Sequence, residues 1–368
     1  MDRNSGLRLK LIVAVFIVIV GGLFTLNLIL PKAEILYSER RMPAKLPALS
    51  ARTVFSGEYM NKLDSYTADN FPFRDSFRTI SSAMVFHLFR QTDKNGLYMD
   101  KNGAGRFEQT NPESITKIAE KILTIADMMN GVSIYYAYIP DKSIYSDKKL
   151  PGFDPSLVEQ MMIEAPGMED FTFIGLTDVL DADSYYRTDL HWNQVKIGGV
   201  TERLGASMGF DVDLSGYAEE YAGEFRGGYS GQIALPIGTD SLFYLSHPSL
   251  KAMYLNERTM ALEEGPVYDW EKISGLDAYD FFLSGVQPLI VIENNDSVSD
   301  KELYLFRDSF SSSLAPLLAG AYSRVILIDL RYIDMRTLSR LVEFHPGSDA
   351  LFLYSTQILN NPDMLLAR

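Results

Sequence analysis

The chain of 368 residues carries a formal net charge of −14, is 46% hydrophobic and 12% aromatic, and contains no cysteine. That much apolar side chain over that length builds real cores, so disorder is excluded, and an acidic balance without a basic cluster speaks against nucleic acid as ligand. Without cysteine there is no disulfide framework, no thiol chemistry and no cysteine-based metal site.

The run 11–30, which opens on Leu11 and closes on Leu30, has only Thr25 and Asn27 as polar side chains. It is long enough to cross the hydrocarbon core of a bilayer. Arg3, Arg8 and Lys10 precede it, and the positive-inside rule places that end in the cytosol. A cleaved signal peptide is the alternative, but no small-x-small cleavage site follows the run. The expectation is an uncleaved signal anchor. Residues 1–10 form a cytoplasmic tail, 11–30 a single transmembrane helix, and the remainder lies outside the cell membrane. The first ten residues contribute +2, so the outer part carries −16.

Residues 31–95 read as a juxtamembrane connector followed by helices. The stretch 32–49 is charged and dotted with Pro43 and Pro47, which suits an extended connector. Helical patches follow over 53–89. Their Arg52, Lys62, Arg74 and Arg78 are placed either near anionic headgroups or on a solvated face. From 96 onward one large domain is expected. Asn95-Gly96 and Asn102-Gly103 bracket Leu-Tyr-Met-Asp as a short hairpin. Residues 112–129 predict a helix with Ile115, Ile118, Ile122 and Ile125 facing inward. Residues 132–139 predict a buried strand ended by Pro140. Further short apolar runs at 171–174, 289–292, 303–306, 325–328 and 351–353 alternate with helical text, the pattern of a parallel sheet covered on both faces. Residues 211–288, rich in Gly and Tyr, are expected to leave the sheet and shape a cleft at its edge.

Two stretches carry chemistry. In Tyr186-Arg-Thr-Asp-Leu-His-Trp-Asn193, Asp189 stands two residues before His191. Asn193 is expected to open an amphipathic helix whose apolar face is Ile197, Val200, Leu204 and Met208, which leaves Asp189 and His191 on the preceding turn. There the carboxylate can orient and charge-stabilise the imidazole. Far downstream, the strand 303–306 runs through Arg307-Asp308 into Ser309 and a helix beginning near Ala315. A serine at that junction receives the positive end of the helix dipole and free backbone N–H groups. Its hydroxyl becomes a nucleophile only if a base removes its proton, and His191 steered by Asp189 is the base on offer. The competing reading is that Ser309, Ser311, Ser312 and Ser313 simply cap the helix. The next strand ends in Asp329-Leu-Arg331-Tyr332, either part of the same edge or an Arg331 ion pair with Asp329 or Asp334. Four scattered histidines, 87, 191, 247 and 345, show no metal-ligand spacing, and no cofactor is indicated.

The ordered pair Asp-x-His-Trp and Asp-Ser-Phe-Ser, about 115 residues apart, resembles the DHHW protein family. That family is related to alginate O-acetyltransferases of the AlgX and AlgJ type, among SGNH-hydrolase-like folds. Asp-Leu-Arg-Tyr at 329–332, Ile139-Pro-Asp-Lys142 followed by Leu150-Pro151, and the leading apolar span fit the same pattern over roughly 35–360. The resemblance implies an α/β fold: a three-layer α/β/α sandwich, SGNH-hydrolase-like, with permuted motif order. It implies Ser309 as nucleophile, His191 as general base and Asp189 as its orienting partner. The implied chemistry is O-acetyl transfer to a cell-surface polysaccharide through an acyl-serine, with the acetyl group presented by a membrane-bound O-acyltransferase. Trp192, Arg331 and Tyr332 are the substrate-binding candidates, Trp192 and Tyr332 by stacking on a sugar, with Trp192 reading equally as a core residue. The sequence departs from the pattern where Leu190 replaces a second histidine and where no glycine precedes Asp308-Ser309. Oxyanion donors have no motif here, and Gly285, Asn294 and Asn295 are candidates by position. A carbohydrate esterase with the same triad and a non-catalytic glycan-binding protein are the alternatives.

Overall fold

The structure is a computed structural model and describes residues 3–148, 152–211, 213–297 and 299–367; Leu150-Pro151 lies outside them. The chain forms two compact units, Met1–Arg90 with Gly231–Leu235, and Gln91–Ser230 with Pro236–Arg368.

The first unit begins with α1 (Arg3–Ile29), an apolar helix long enough to cross a membrane. After an irregular segment come α2 (Ala51–Phe55), α3 (Glu58–Asp69) and α4 (Arg74–Ala83), the last continued by a π-turn, Met84–Leu88. Ser50 caps α2, its hydroxyl accepting from the Thr53 N–H at 3.2 Å. Charge pairing holds the unit together. Arg41 donates to both oxygens of Asp69 at 2.6 Å, which holds the Asp69 carboxyl down to about 2. Arg74 and Arg78 reach Glu39 at 2.6 and 3.2 Å. These two arginines, expected at headgroups or on a solvated face, are instead half-buried ion-pair partners.

In the second unit β1 (Asp93–Lys94), β2 (Leu97–Asp100) and β3 (Gly103–Arg106) form a small antiparallel sheet. Its first turn puts Asn95 and Gly96 at φ 55° and 79°, the left-handed pair that a two-residue hairpin requires. The main sheet has eight strands: β4 (Ser133–Ile139), β5 (Thr172–Phe173), β8 (Leu250–Asn256), β9 (Ala261–Gly265), β10 (Leu289–Asn294), β11 (Glu302–Arg307), β12 (Arg324–Ile328) and β13 (Asp349–Ser355). Their order is β5-β4-β13-β11-β12-β10-β8-β9. The first five run parallel, but β10, β8 and β9 add antiparallel pairs. The sheet is therefore mixed, where an all-parallel one was expected. The segment 211–288 is not wholly an excursion either. It supplies β8 and β9 to the sheet, and only the hairpin of β6 (Ala218–Phe225) with β7 (Asp240–Ser246) stands apart. Its glycines and exposed polar residues hide two antiparallel pairs, β6 with β7 and β8 with β9, whose alternation is imperfect.

Each strand sends alternate side chains to opposite faces. On one face Tyr136, Tyr304, Phe306 and Phe352 pack with Ile115, Ile118, Ile122 and Ile125 of α5 (Pro112–Ala126). On the other, Ala137, Ile139, Leu305 and Leu353 pack with Ile197, Val200, Leu204 and Met208 near α7 (Gly198–Met208) and with Leu314, Leu317 and Leu318 of α9 (Ser311–Leu318). The inward isoleucines and the apolar face of α7 are as the periodicity predicts. The start of α7 is not. Asn193 caps a separate 3₁₀ turn, Gln194–Lys196, and Ile197 then serves as N-cap of α7. Gly198-Gly199 at that point weakens a continuous helix.

Candidate active site

The loop that bears Asp189 and His191 is built as a pinched turn. Ser184 and Tyr186 on one arm bond Asn193 and His191 on the other, at 2.8 and 3.0 Å between backbone groups, so residues 187–190 form the tip. The tip is clamped by groups distant in sequence. The Asp240 carboxylate accepts from the Arg187 and Thr188 N–H groups, each at 2.7 Å. The Ala104 N–H of the small sheet donates to the Arg187 carbonyl at 2.8 Å. Gly103 makes that approach feasible, since a Cβ there would lie 2.1 Å from the Arg187 oxygen. Lys142, 7% exposed, donates from Nζ to the carbonyls of Tyr186 and Asp189 at 2.7 and 3.1 Å. Burial draws the Lys142 ammonium down to about 8, although Asp189, Asp240, Asp141 and Asp100 favour its charge.

The clamped tip aims Asp189 at the ring of His191. One carboxylate oxygen meets His191 Nδ1 at 2.7 Å and the other accepts from the Gly228 N–H at 2.8 Å. In the neutral ring this places the proton on Nδ1, because a carboxylate can only accept there, and leaves Nε2 as the acceptor. Nε2 lies 2.8 Å from Ser309 Oγ. Two turns 118 positions apart thus meet at one edge of the sheet. The ring of Tyr279 lies parallel to His191, with centroids 3.7 Å apart, and Phe310 packs against its other side at 4.8 Å. Tyr279 and His191 are both buried, whereas Ser309 is half-buried.

Ser309 follows β11 and stands ahead of α9. Phe310 is the N-cap and makes no side-chain cap, so Ser309 is not the helix cap of the competing reading. Asp308 shapes the elbow: its carboxylate accepts from the Phe310 N–H at 3.1 Å and from the Ser355 N–H of β13 at 2.7 Å. These bonds fix a tight turn where the sequence lacks the glycine of a Gly-Asp-Ser elbow. Arg307, fully buried, donates Nη1 to Ser312 Oγ at 2.8 Å and to the Asp308 carbonyl at 3.3 Å.

Of the expected substrate contacts, Trp192 has no exposed surface. Its indole N–H donates to the Phe310 carbonyl and to Ser313 Oγ, both at 2.9 Å. The ring is core that ties the His191 turn to the Ser309 turn, and it offers no face to a sugar. Arg331 forms a two-pronged ion pair with Asp329, at 2.8 and 2.6 Å. Tyr332 is 47% exposed beside the Arg331 guanidinium, 5.3 Å from ring centre to carbon. Asn294 and Asn295 fall at the wrong edge. The strand β10 runs antiparallel to β12, pairing Glu293 with Arg324 at the start of β12, so its end lies opposite to that of β11. Gly285 precedes β10 on the same edge as Ser309, in a turn with φ 78°. In the sequence Lys142 reads only as the end of the Ile139-Pro-Asp-Lys142 segment, with no role at this site, and Asp240, Gly228 and Tyr279 are not singled out. Their links to the site are contacts across 39 to 53 positions for the first three, and no local pattern marks them. Among the described residues, no group of three or more acidic or histidine side chains has the geometry to hold a metal ion.

These features define a mixed α/β protein with an Asp-His-Ser relay at the carboxyl end of a parallel strand. The fold is shared with solved structures. A DHHW family protein from Eubacterium siraeum superposes with a TM-score of 0.60 at 16% identity, covering 75% of this chain and 98% of that one. Bacillus cereus PatB1 superposes with a TM-score of 0.55 at 17% identity, covering 72% and 96%. PatB1 carrying a sulfonyl adduct gives 0.54 at 16%, covering 72% and 97%. No family model and no curated protein matches the sequence.

Proposed function

We propose that the chain is a membrane-anchored extracellular O-acyltransferase that moves an acetyl group onto a cell-surface polysaccharide through an acyl-serine. The observation that carries this reading is the imidazole of His191, held between Asp189 at 2.7 Å and Ser309 at 2.8 Å. Ser309 is the nucleophile, His191 the general base, and Asp189 the group that orients and charge-stabilises the ring. As Ser309 Oγ attacks the acetyl carbonyl, its proton passes to His191 Nε2. The proton then goes to the departing oxygen of the donor, leaving acetyl-Ser309. A sugar hydroxyl gives its proton to His191 and attacks the ester, and Ser309 leaves with that proton. Asp189 takes no proton at any step.

The sequence likeness to the DHHW family and its alginate O-acetyltransferase relatives supports acetyl as the group. The two buried faces of the sheet support a three-layer α/β/α sandwich, SGNH-hydrolase-like, with the Asp-His motif ahead of the serine. The apolar run of α1 and the basic residues at its start support a cell-membrane anchor with a cytoplasmic N-terminus; the donor in this reading is a membrane-bound O-acyltransferase. Tyr332 and Arg331 stand at the same end of the sheet, where a glycan would lie.

The test is incubation with p-nitrophenyl acetate and an oligosaccharide acceptor, followed by mass spectrometry of protein and sugar. Acetylated sugar together with an acetyl adduct on Ser309 is the expected result. Free acetate with unmodified sugar would turn the reading to an esterase. Unreacted donor would leave no enzymatic reading standing.

A further inference from the structure

The helix α4 and the π-turn after it carry an apolar stripe that faces outward. Phe73, Phe77, Ile80, Met84 and Leu88 recur at helical spacing and are 59%, 47%, 56%, 43% and 67% exposed. The opposite side is mixed: Arg78 is half-buried, Ser82 and Phe86 are buried, and Asp75 and Thr79 are exposed. Arg78 donates to the Gly231 carbonyl at 2.9 Å and to Ser38 Oγ at 3.3 Å, and Arg74 donates to Glu39 at 2.6 Å. Ser82 has no exposed surface. A helix of a water-soluble unit buries its apolar stripe against the core. An apolar stripe of this extent left outward is a site for something apolar.

We infer that this stripe lies in the lipid interface beside the membrane crossing, as an amphipathic helix parallel to the bilayer surface. The inference rests on the reading of α1 as a span. Its position argues for lipid over other occupants. Asn27, near the end of α1, donates from Nδ2 to the Asn70 carbonyl at 3.2 Å. The stripe therefore starts within a few residues of the point where the span ends, both inside one compact unit. The ring of Phe71 packs edge-on against Phe77 at 5.7 Å, which fixes the direction in which the stripe sets out. The exposed apolar surface of α1 is thereby continued by that of α4. Such helices seat their apolar face about 5–10 Å into the boundary between headgroups and acyl chains. Arg74 and Arg78 are paired with Glu39 and Asp75 on the protein side, so these two cations are not offered to anionic lipid and the attachment is by apolar burial. The consequence is orientation: the unit is attached to the membrane along a line instead of at one point.

The absence of cysteine permits a clean test on the full chain in phosphatidylcholine vesicles. Single variants Phe77→Cys, Ile80→Cys, Thr79→Cys and Val18→Cys carry an environment-sensitive fluorophore, and lipids brominated at shallow or deep acyl positions act as quenchers. Probes at 77 and 80 are expected to show blue-shifted emission quenched by shallow bromines. Thr79, exposed on another face, is expected to keep an aqueous spectrum, and position 18 to be quenched by deep bromines. Quenching at 18 with aqueous spectra at 77 and 80 would overturn the inference while leaving the span intact. Aqueous spectra at all four positions would overturn the span and the inference together. Replacing neutral vesicles by anionic ones should change nothing at 77; quenching that needs anionic lipid would contradict attachment by apolar burial.

Discussion

The imidazole of His191 lies flat on the phenol ring of Tyr279, with planes 4° from parallel and centroids 3.7 Å apart. The Tyr279 hydroxyl is anchored in turn to Ser313 Oγ at 2.8 Å. Ser313 is on α9, the helix that follows Ser309, so the ring behind His191 is indexed to the turn that presents Ser309. Burial raises the Tyr279 phenol far above its ordinary range, which keeps it neutral and a donor.

Tyr279→Ala is accordingly expected to slow acylation of Ser309 by about 10–100-fold, the cost of letting a catalytic ring drift by roughly an ångström. Tyr279→Phe keeps the stacked face and loses only the hydroxyl's bonds to Ser313 Oγ and the Phe310 carbonyl, so its loss should be well under tenfold. Rates of p-nitrophenyl acetate cleavage for the two variants check this. Equal losses would show that the hydroxyl matters and the stacking does not.

Trp192 distinguishes a sugar platform from a core residue. Trp192→Phe removes one donor to the Phe310 carbonyl and Ser313 Oγ, both of which keep the Tyr279 hydroxyl, so the loss is about 1 kcal/mol. Urea unfolding should report that loss. The apparent KM for an oligosaccharide should stay unchanged; a raised KM with undiminished stability would restore Trp192 as a substrate contact.

Gly227 allows a second close backbone approach in the site. A Cβ there would sit 2.2 Å from the Thr188 carbonyl oxygen, and neither backbone can yield without moving Asp189, whose carboxylate bonds the next N–H, that of Gly228. Gly227→Ala should lower acylation by at least about tenfold through misplacement of the relay. Gly209→Ala, at an exposed helix end with open space around its Cβ, is the control for a glycine loss elsewhere and should leave the rate unchanged.

Lys142 links pH to stability. Its folded value of about 8 lies below the ordinary 10.5, so between those values the unfolded chain binds more protons than the folded one. Stability contributed by this group therefore rises with pH across the window of about 8 to 10.5, by on the order of 3 kcal/mol. Lys142→Met lacks that term. The difference in unfolding free energy, wild type minus variant, is expected to grow from pH 8 to 10.5, and a flat difference would contradict the placement of this charge in the interior.

Much of this was legible in the sequence where the signal is local. The isoleucine ladder of α5, the strand runs, the Asp189-x-His191 pair and Ser309 all read from spacing and neighbours. What escaped depends on contacts with no sequence period. Trp192 reads equally as a sugar platform or as core, because exposure is not encoded in a single aromatic. Its two hydrogen bonds come from a turn 118 and 121 positions away. The antiparallel strands β8 and β9 were hidden by glycine and charged text, since edge strands need only one apolar face. Asn294 looked close to Ser309 only on the assumption that β10 runs parallel to its neighbour. Asp240, which holds the tip that bears Asp189, is one acidic residue among 48, and nothing in its neighbours marks it.

The account depends on His191 drawing a proton from Ser309. The most direct measurement is the rate at which a phenylmethanesulfonyl group adds to Ser309, followed by intact mass and peptide mapping, in wild type, Ser309→Ala, His191→Ala and Asp189→Asn. Addition at Ser309 in the wild type, none at that peptide in Ser309→Ala, and slowing by at least about 100-fold in His191→Ala is the predicted outcome, with Asp189→Asn slowed as well. Undiminished addition to Ser309 in His191→Ala, or no addition in a folded wild type, would contradict it.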